Sequence, residues 1–179
     1  MSEIQAAEHS SFGVLTSPST LTLKRTLPGP IERVWAHITD SELRSQWLAA
    51  GVLNPQPGAS FELVWRNDAL SAAPSERPAG FAEESRAMCR VTQAAPMRKL
   101  GFHWPSVGDV TFELDAIGDD VVLTVTHSRL PDRKTTLLVS AGWHMHCDIL
   151  AARMNGEKPA SFWSGLQRLR NEYDRRIPG

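Results

Sequence analysis

The sequence has little cysteine, no excess of charge of either sign and no long apolar run. Its two cysteines, Cys89 and Cys147, lie far apart and outside any CxxC pair, so they predict neither a disulfide framework nor a zinc site. Nineteen Lys and Arg against 20 Asp and Glu give a net charge of −1, which offers no basic footprint for nucleic acid. The longest charge-free, apolar-leaning segment, 135–147, is too short to span a bilayer. We therefore predict a cytoplasmic protein that binds no nucleic acid and spans no membrane.

Motifs for phosphate and acyl-transfer chemistry are also absent. The sequence contains no GxSxG elbow, no phosphate-binding loop and no dinucleotide fingerprint, and Gly101, Gly108 and Gly118 occur singly at predicted turns. Glu113 alternates with apolar neighbours on a predicted strand, so it faces solvent as a lone acid. We predict no cofactor, and no nucleophile is evident.

The length of 179 residues predicts one domain, which we assign to residues 20–179. Residues 1–19 are small, polar and aperiodic, lack the features of a secretory signal and are predicted to form a flexible leader. The domain starts with a predicted strand, because polar residues alternate with Leu21, Leu23, Arg25 and Leu27.

Two short helices and five further strands are predicted next. Apolar residues recur at helical spacing after Pro30, and Thr39 with Glu42 predicts a capping box at the start of the second helix. The strand segments are 61–65, 86–93, 100–104, 110–116 and 121–127. The segment 67–85, rich in Ala, Pro and Ser, is predicted to be either partly disordered or a flap.

A long helix over 137–154 follows, and it is apolar on two sides. One stripe contains Leu138, Ala141, Met145, Ile149 and Ala152, and the nearly opposite stripe contains Trp143, Cys147, Leu150 and Met154. One side should face the concave side of the sheet. The other should be covered by a terminal helix over 161–176 or by a partner subunit, so a homodimer is one of the two alternatives.

This order of elements predicts an α+β fold. We expect a curved, antiparallel, six-stranded sheet that wraps around the long C-terminal helix, with an extra terminal helix. Helix and sheet cannot close tightly where they diverge, so the architecture predicts an internal cavity.

Several segments resemble one superfamily in the order in which they occur. LTLKRTLPGPIERVWAHITDSELRSQWL resembles the opening of the START-like, helix-grip superfamily known as SRPBCC, and specifically proteins related to the activator of heat-shock-protein-90 ATPase. CRVTQAAPMRKLGFHW, VTFEL, VVLTVTHSRL and AGWHMHCDILAARM resemble its later strands and long helix. The resemblance covers about residues 20–154 and implies a helix-grip (START/Bet v-like) fold. Members include lipid carriers, hormone receptors, polyketide cyclases and co-chaperone domains.

Polar residues on apolar strand faces are the first candidates for a ligand-binding site. Arg25 and His127 match family positions and would present donors to a ligand in the cavity. The alternative is that each lies near a strand end, where it reaches water or a structural hydrogen bond. Trp47, Trp65 and Trp104 are either aromatic walls of the same cavity or core residues. Ala141 and Met145, on the long helix, complete the candidate set.

A cluster on the long helix suggests a metal, because His144 and Asp148 are one turn apart. His146 points away from His144 and Cys147 belongs to the opposite apolar stripe, so the cluster does not converge. We predict no metal site.

Three functions are consistent with these observations. The leading hypothesis is a protein whose cavity binds a small apolar or amphipathic molecule, including hydrophobic or aromatic ones. The first alternative is a cyclase-like or hydrolase-like enzyme in which Arg25 or His127 polarises a carbonyl. The second is a stress-related, co-chaperone-like interaction protein. Enzymatic activity is left undecided, and the sequence favours a binding protein.

Overall fold

The computed structural model describes residues 11–71 and 77–179. Its elements are β1 (Val14–Ser17), β2 (Thr20–Pro28), α1 (Ile31–Thr39), α2 (Ser41–Ser45), β3 (Ser60–Trp65), a 3₁₀ turn (Asn67–Ala69), β4 (Ser85–Ala95), β5 (Lys99–Trp104), β6 (Gly108–Ile117), β7 (Asp120–Ser128), α3 (Arg133–Met154) and α4 (Phe162–Arg176). No helix in these ranges is long and apolar enough to cross a bilayer.

The strands form one curved antiparallel sheet in the order β1-β2-β7-β6-β5-β4-β3. The first strand of the predicted domain therefore pairs with the last, Leu23 opposite Val125, and the remaining strands follow as a meander. The leucines of β2 face the core and alternate with outward-facing polar residues, which is the period of two that predicted this strand. The predicted α+β helix-grip fold is confirmed.

The sheet has seven strands rather than six, because β1 lies inside the segment that was predicted to be a leader. This edge strand pairs Val14 with Thr22 through its backbone, and only Leu15 among its side chains is half-buried. Such a strand has no buried face and so no alternating pattern in the sequence. The part of the predicted leader at residues 1–10 lies outside the described residues.

The capping box predicted at Thr39 and Glu42 is wrong by one residue. Asp40 is the N-cap of α2, since its side chain accepts a hydrogen bond from the backbone N–H of Leu43 at 3.0 Å. The Thr39 hydroxyl instead donates to the carbonyl of Trp35 in the preceding helix.

The long helix α3 has two covered sides, as predicted. On one side, Trp143 lies edge-on against Phe112 of the sheet, with 5.6 Å between ring centroids. On the other side, Met145 packs against Gly165 of α4, where the missing side chain lets the two helices approach closely. Of the two predicted alternatives, a terminal helix or a partner subunit, the chain's own α4 takes this position.

Candidate functional site

An apolar pocket of about 330 Å³ opens between one end of the sheet and the two C-terminal helices. Six of its 18 lining residues are aromatic, and these are Trp65, Phe81, Trp104, Trp143, Phe162 and Trp163. The exposed side chains of Ser85 and Arg86 also line it, so the pocket reaches the surface. Its size and its apolar lining are typical of small-molecule sites.

The sheet side of the pocket is a pair of stacked tryptophans. Trp65 is the last residue of β3 and Trp104 the last of β5, and their rings lie 5.0 Å apart at an interplanar angle of 19°. Both rings are only half-buried. They present a flat surface on which a planar ligand would stack.

The helical side contains an open space at Gly142. A Cβ atom built on this residue would meet no atom within 4 Å apart from its chain neighbours and the backbone of its own helix. The residue lies in the middle of α3 and lines the pocket. Glycine inside a helix costs about 1 kcal/mol relative to alanine. Its absent side chain leaves room in the pocket beside Trp143.

The described parts of the segment 67–85 form one rim of the pocket. Phe81 packs on Trp163 of α4, with 5.1 Å between centroids, and Trp163 donates its indole N–H to Asp68 at 2.7 Å. Residues 72–76, in the segment predicted to be disordered or a flap, lie outside the described residues. The rim therefore joins the loop to the terminal helix.

His146 is the buried polar residue of the pocket wall. Its Nδ1 lies 2.8 Å from the carbonyl oxygen of Trp47. A carbonyl oxygen only accepts hydrogen bonds, so Nδ1 carries the proton and Nε2 is the unprotonated nitrogen. Burial lowers the pKa of His146 to about 4. The hydrogen bond to the carbonyl of Trp47 acts in the other direction, because it favours the charged form, but it does not outweigh burial. The ring is neutral at pH 7.

His127 lies behind the wall rather than in it, and both of its ring nitrogens have partners. Nε2 donates to the carbonyl of Val107 at 3.0 Å, and Nδ1 accepts from the indole N–H of Trp143 at 3.0 Å. Burial lowers the pKa of His127 to about 4. Of the two alternatives predicted for His127, a donor to a ligand or a structural hydrogen bond, these contacts correspond to the structural hydrogen bond.

Arg25 lies outside the pocket lining, in a polar cluster on the opposite side of α3. Its Nε and Nη2 donate to the same oxygen of Asp148, at 3.0 and 2.9 Å, and its Nη1 donates to the carbonyl of Ser11. The strand register places Arg25 opposite Leu123 and His127 opposite Leu21. Four residues along a strand are about 13 Å, so Arg25 and His127 do not meet at one ligand.

Of the seven predicted ligand-binding residues, Trp65 and Trp104 line the pocket. Trp47 is fully buried and donates its indole N–H to the carbonyl of His37. Ala141 and Met145 are buried in the core, where Met145 faces α4. These three residues, with Arg25 and His127, lie outside the described lining of the pocket.

The pocket also contains residues that the sequence did not place in a site. His146 and Trp143 are three residues apart on α3, and Phe162 and Trp163 begin α4. The helical spacing of Trp143 and His146 puts them on one face, which was a signal present in the sequence.

The cluster considered as a metal site forms a hydrogen-bonded network. The Nε2 of His144 lies 3.4 Å from Asp148, its Nδ1 lies 2.9 Å from the hydroxyl of Tyr173, and that hydroxyl accepts from the N–H of Gly13 at 2.8 Å. Arg25 binds the other oxygen of Asp148. In the ranges 11–71 and 77–179 there is no group of three His, Cys, Asp or Glu side chains that could hold a metal ion.

Comparisons with known proteins agree with the fold. The family model described as Activator of Hsp90 ATPase homolog 1-like protein matches residues 28–155. The solution structure of the protein encoded by gene BPP1335 from Bordetella parapertussis is 37% identical over 95% of this chain and 92% of that chain, with a TM-score of 0.78. A search of the curated proteins found no match.

Two more distant structures share the fold. DynU16, a protein in the dynemicin biosynthetic locus, is 22% identical over 80% of this chain, with a TM-score of 0.62, and the match covers 49% of DynU16. The Aha1 dimer from Colwellia psychrerythraea is 11% identical over 75% of this chain and 95% of that chain, with a TM-score of 0.57.

Proposed function

This chain belongs to the Activator of Hsp90 ATPase homolog 1-like family within the SRPBCC superfamily, and from that premise we propose that its aromatic pocket binds a small, apolar or aromatic molecule. The observation that carries the proposal is that the Trp65–Trp104 stack and the open space at Gly142 line one apolar pocket. A flat ring placed between them would contact aromatic surface on one side and helix backbone on the other. DynU16, a protein in the dynemicin biosynthetic locus, has the same fold.

The lining favours binding over catalysis. The ionisable residues among the described lining are Arg86 and His146. Arg86 donates to Glu62 at 2.7 Å and to Glu84 at 3.0 Å, so its charge is already paired. An enzyme that polarises a carbonyl through Arg25 or His127 would need those residues in the pocket wall, and they lie outside it. The lining therefore lacks the acid and base pair of a cyclase or hydrolase.

An interaction role is the second candidate, and it has less support. The predicted homodimer depended on an uncovered side of α3, and α4 packs there. The Aha1 dimer from Colwellia is a property of that protein. Light scattering on the purified chain distinguishes a monomer from a homodimer, and a chaperone ATPase assay tests co-chaperone activity. Location in the cytoplasm stays a prediction.

The pocket can be filled from Gly142 without disturbing the core. We would measure binding of the neutral fluorescent probe N-phenyl-1-naphthylamine to the wild type, Gly142→Ala and Gly142→Leu. The leucine side chain should occupy part of the pocket and weaken binding at least tenfold. The alanine controls for the change in helix propensity and should weaken it less.

The melting temperature of each variant separates pocket filling from unfolding. We expect no decrease for Gly142→Ala, because alanine favours the helix. No binding by the wild type, or equal binding by Gly142→Leu, would show that the pocket is not a ligand site.

A further inference from the structure

The ring of His146 is held in place on three sides. Its Nδ1 donates to Trp47, and the ring lies 4.9 Å from that of Phe162 and 6.5 Å from that of Trp143. The residue is 7% exposed. In the part of the chain that the structure describes, Nε2 has no hydrogen-bond partner, although the residue lines the pocket.

We infer that Nε2 of His146 is the hydrogen-bond acceptor by which the pocket selects its ligand, and that the ligand is an aromatic molecule with a hydroxyl or N–H donor. This inference rests on the proposed function, since it needs a ligand in the pocket. A ligand that covers Nε2 without donating to it leaves a desolvated acceptor unpaired, which costs free energy, whereas a ligand that donates to it avoids that cost. An analogue without the donor leaves the nitrogen unpaired.

The same wall disfavours an anionic ligand. Nε2 presents a lone pair rather than a proton, because Trp47 fixes the tautomer and the ring is neutral at pH 7. Arg86 is the cation of the described lining, and two glutamates already pair with it. A carboxylate in the pocket would therefore be desolvated without a cation to compensate it.

Two indole N–H groups of the wall are also already used. Trp143 donates to His127 and Trp163 donates to Asp68. Among the described residues, the indole N–H groups of Trp65 and Trp104 and the buried Oδ1 of Asn67 have no partner and also line the pocket. A variant at His146 is therefore needed to assign the preference to Nε2.

Three naphthalenes test the inference, because they differ only in the group at one ring position. Calorimetry at pH 7 would compare 2-naphthol, 2-methoxynaphthalene and 2-naphthoate. We expect 2-naphthol to bind the wild type about fivefold to tenfold more tightly than 2-methoxynaphthalene, and 2-naphthoate to bind most weakly.

His146→Asn is the matched variant. Its side-chain amide nitrogen can replace Nδ1 in the hydrogen bond to Trp47, and its oxygen does not extend to the position of Nε2. The ratio of the affinities for 2-naphthol and 2-methoxynaphthalene should fall below about twofold in this variant, whatever the change in their absolute affinities. Nitrogen NMR of the imidazole should show a protonated Nδ1 in the wild type, and a change at Nε2 when 2-naphthol is added.

Each contrary result has a distinct meaning. Equal affinity for 2-naphthol and 2-methoxynaphthalene in the wild type, or tightest binding of 2-naphthoate, would overturn the inference and leave the proposed function standing. An unchanged preference in His146→Asn would also overturn it. No binding by any of the three compounds would overturn both.

Discussion

Trp143 donates its indole N–H to Nδ1 of His127 across 3.0 Å, and so connects the long helix to the last strand of the sheet. The opposite nitrogen of His127 donates to the carbonyl of Val107, in the turn between β5 and β6. The imidazole therefore joins a helix, a strand and a turn within the core, where it is completely buried. A neutral ring is required, because one nitrogen must accept and the other must donate.

Replacing Trp143 with phenylalanine should lower the free energy of unfolding by about 2–4 kcal/mol. The variant leaves Nδ1 of His127 buried without a donor and removes part of the indole volume. Urea denaturation gives the change directly.

Trp104→Phe is the control, since the described residues offer its indole N–H no hydrogen-bond partner and its ring is half-buried. We expect Trp104→Phe to lower the free energy of unfolding by less than half as much as Trp143→Phe does. Equal losses in the two variants would mean that the hydrogen bond to His127 adds nothing.

The sequence predicts the fold well where one side of an element is buried. Strand β2 and helix α4 bury one face each, so their apolar residues recur at a period of two or of 3.6. Strand β1 could not be found in this way, because it pairs by its backbone at the edge of the sheet. The predicted N-cap of α2 differs from the observed one by one residue, because Thr39 and Asp40 are both good capping residues.

The pocket could be predicted only in part. Trp65 and Trp104 are aromatic residues at strand ends, and both were candidates. His146 was not, because α3 is covered on two sides, and a helical wheel does not indicate which side meets a cavity. The contact between Phe81 and Trp163 joins residues far apart in sequence. Such a contact has no local pattern.

His127 and His146 should make stability depend on pH below neutrality. Burial lowers the pKa of His127 and of His146 to about 4, whereas a histidine in the unfolded chain titrates near 6.5. Between these values the unfolded state binds more protons, so the free energy of unfolding falls as the pH decreases from about 6.5 to about 4. Each histidine contributes a slope of at most about 1.4 kcal/mol per pH unit.

Urea denaturation at pH 7, 6 and 5 measures this slope. His146→Asn removes one of these two titrating groups. It should reduce the slope of the free energy of unfolding against pH by up to about 1.4 kcal/mol per pH unit. A free energy of unfolding that stays constant from pH 7 to pH 5 would contradict the assignment of two neutral buried rings.

The ion pair between Arg25 and Asp148 should stabilise the fold, because the guanidinium is 8% exposed and Asp148 is its acidic partner. We expect Asp148→Asn to lower the free energy of unfolding by about 1–3 kcal/mol at pH 7, a value reduced by the partial exposure of Asp148. Glu84→Gln is the surface control. Glu84 pairs with Arg66 and Arg86 in exposed positions, and its replacement should give no measurable change.

The effect of Asp148→Asn should also depend on pH in a defined direction. Burial opposes the ionisation of Asp148, but the hydrogen bond from His144 and the charge of Arg25 outweigh it and lower its pKa below 3.8. Its contribution is therefore present above pH 3.8 and is lost as the pH falls through the lower folded-state value. The difference in the free energy of unfolding between the wild type and Asp148→Asn should stay constant from pH 7 to pH 5 and decrease in strong acid.

Two helical glycines should respond in opposite directions to alanine. At Gly165 an added Cβ would overlap Sδ of Met145 and lie 2.6 Å from its Cε, and Met145 is 1% exposed. The gain in helix propensity, about 1 kcal/mol, is then outweighed by repacking, which costs about 1–3 kcal/mol. At Gly142 the Cβ meets open space. We expect Gly165→Ala to destabilise the protein and Gly142→Ala to stabilise it by about 0.5–1 kcal/mol.

A double-mutant cycle identifies the cause at Gly165. Met145→Ala alone should be strongly destabilising because it leaves a cavity between α3 and α4. Combined with Gly165→Ala, it should cost at least about 0.5 kcal/mol less than the sum of the single changes, because the new methyl group then occupies vacated space. Strict additivity would show that α4 does not pack against Met145 at this glycine, and would leave that side of the long helix open to a second subunit.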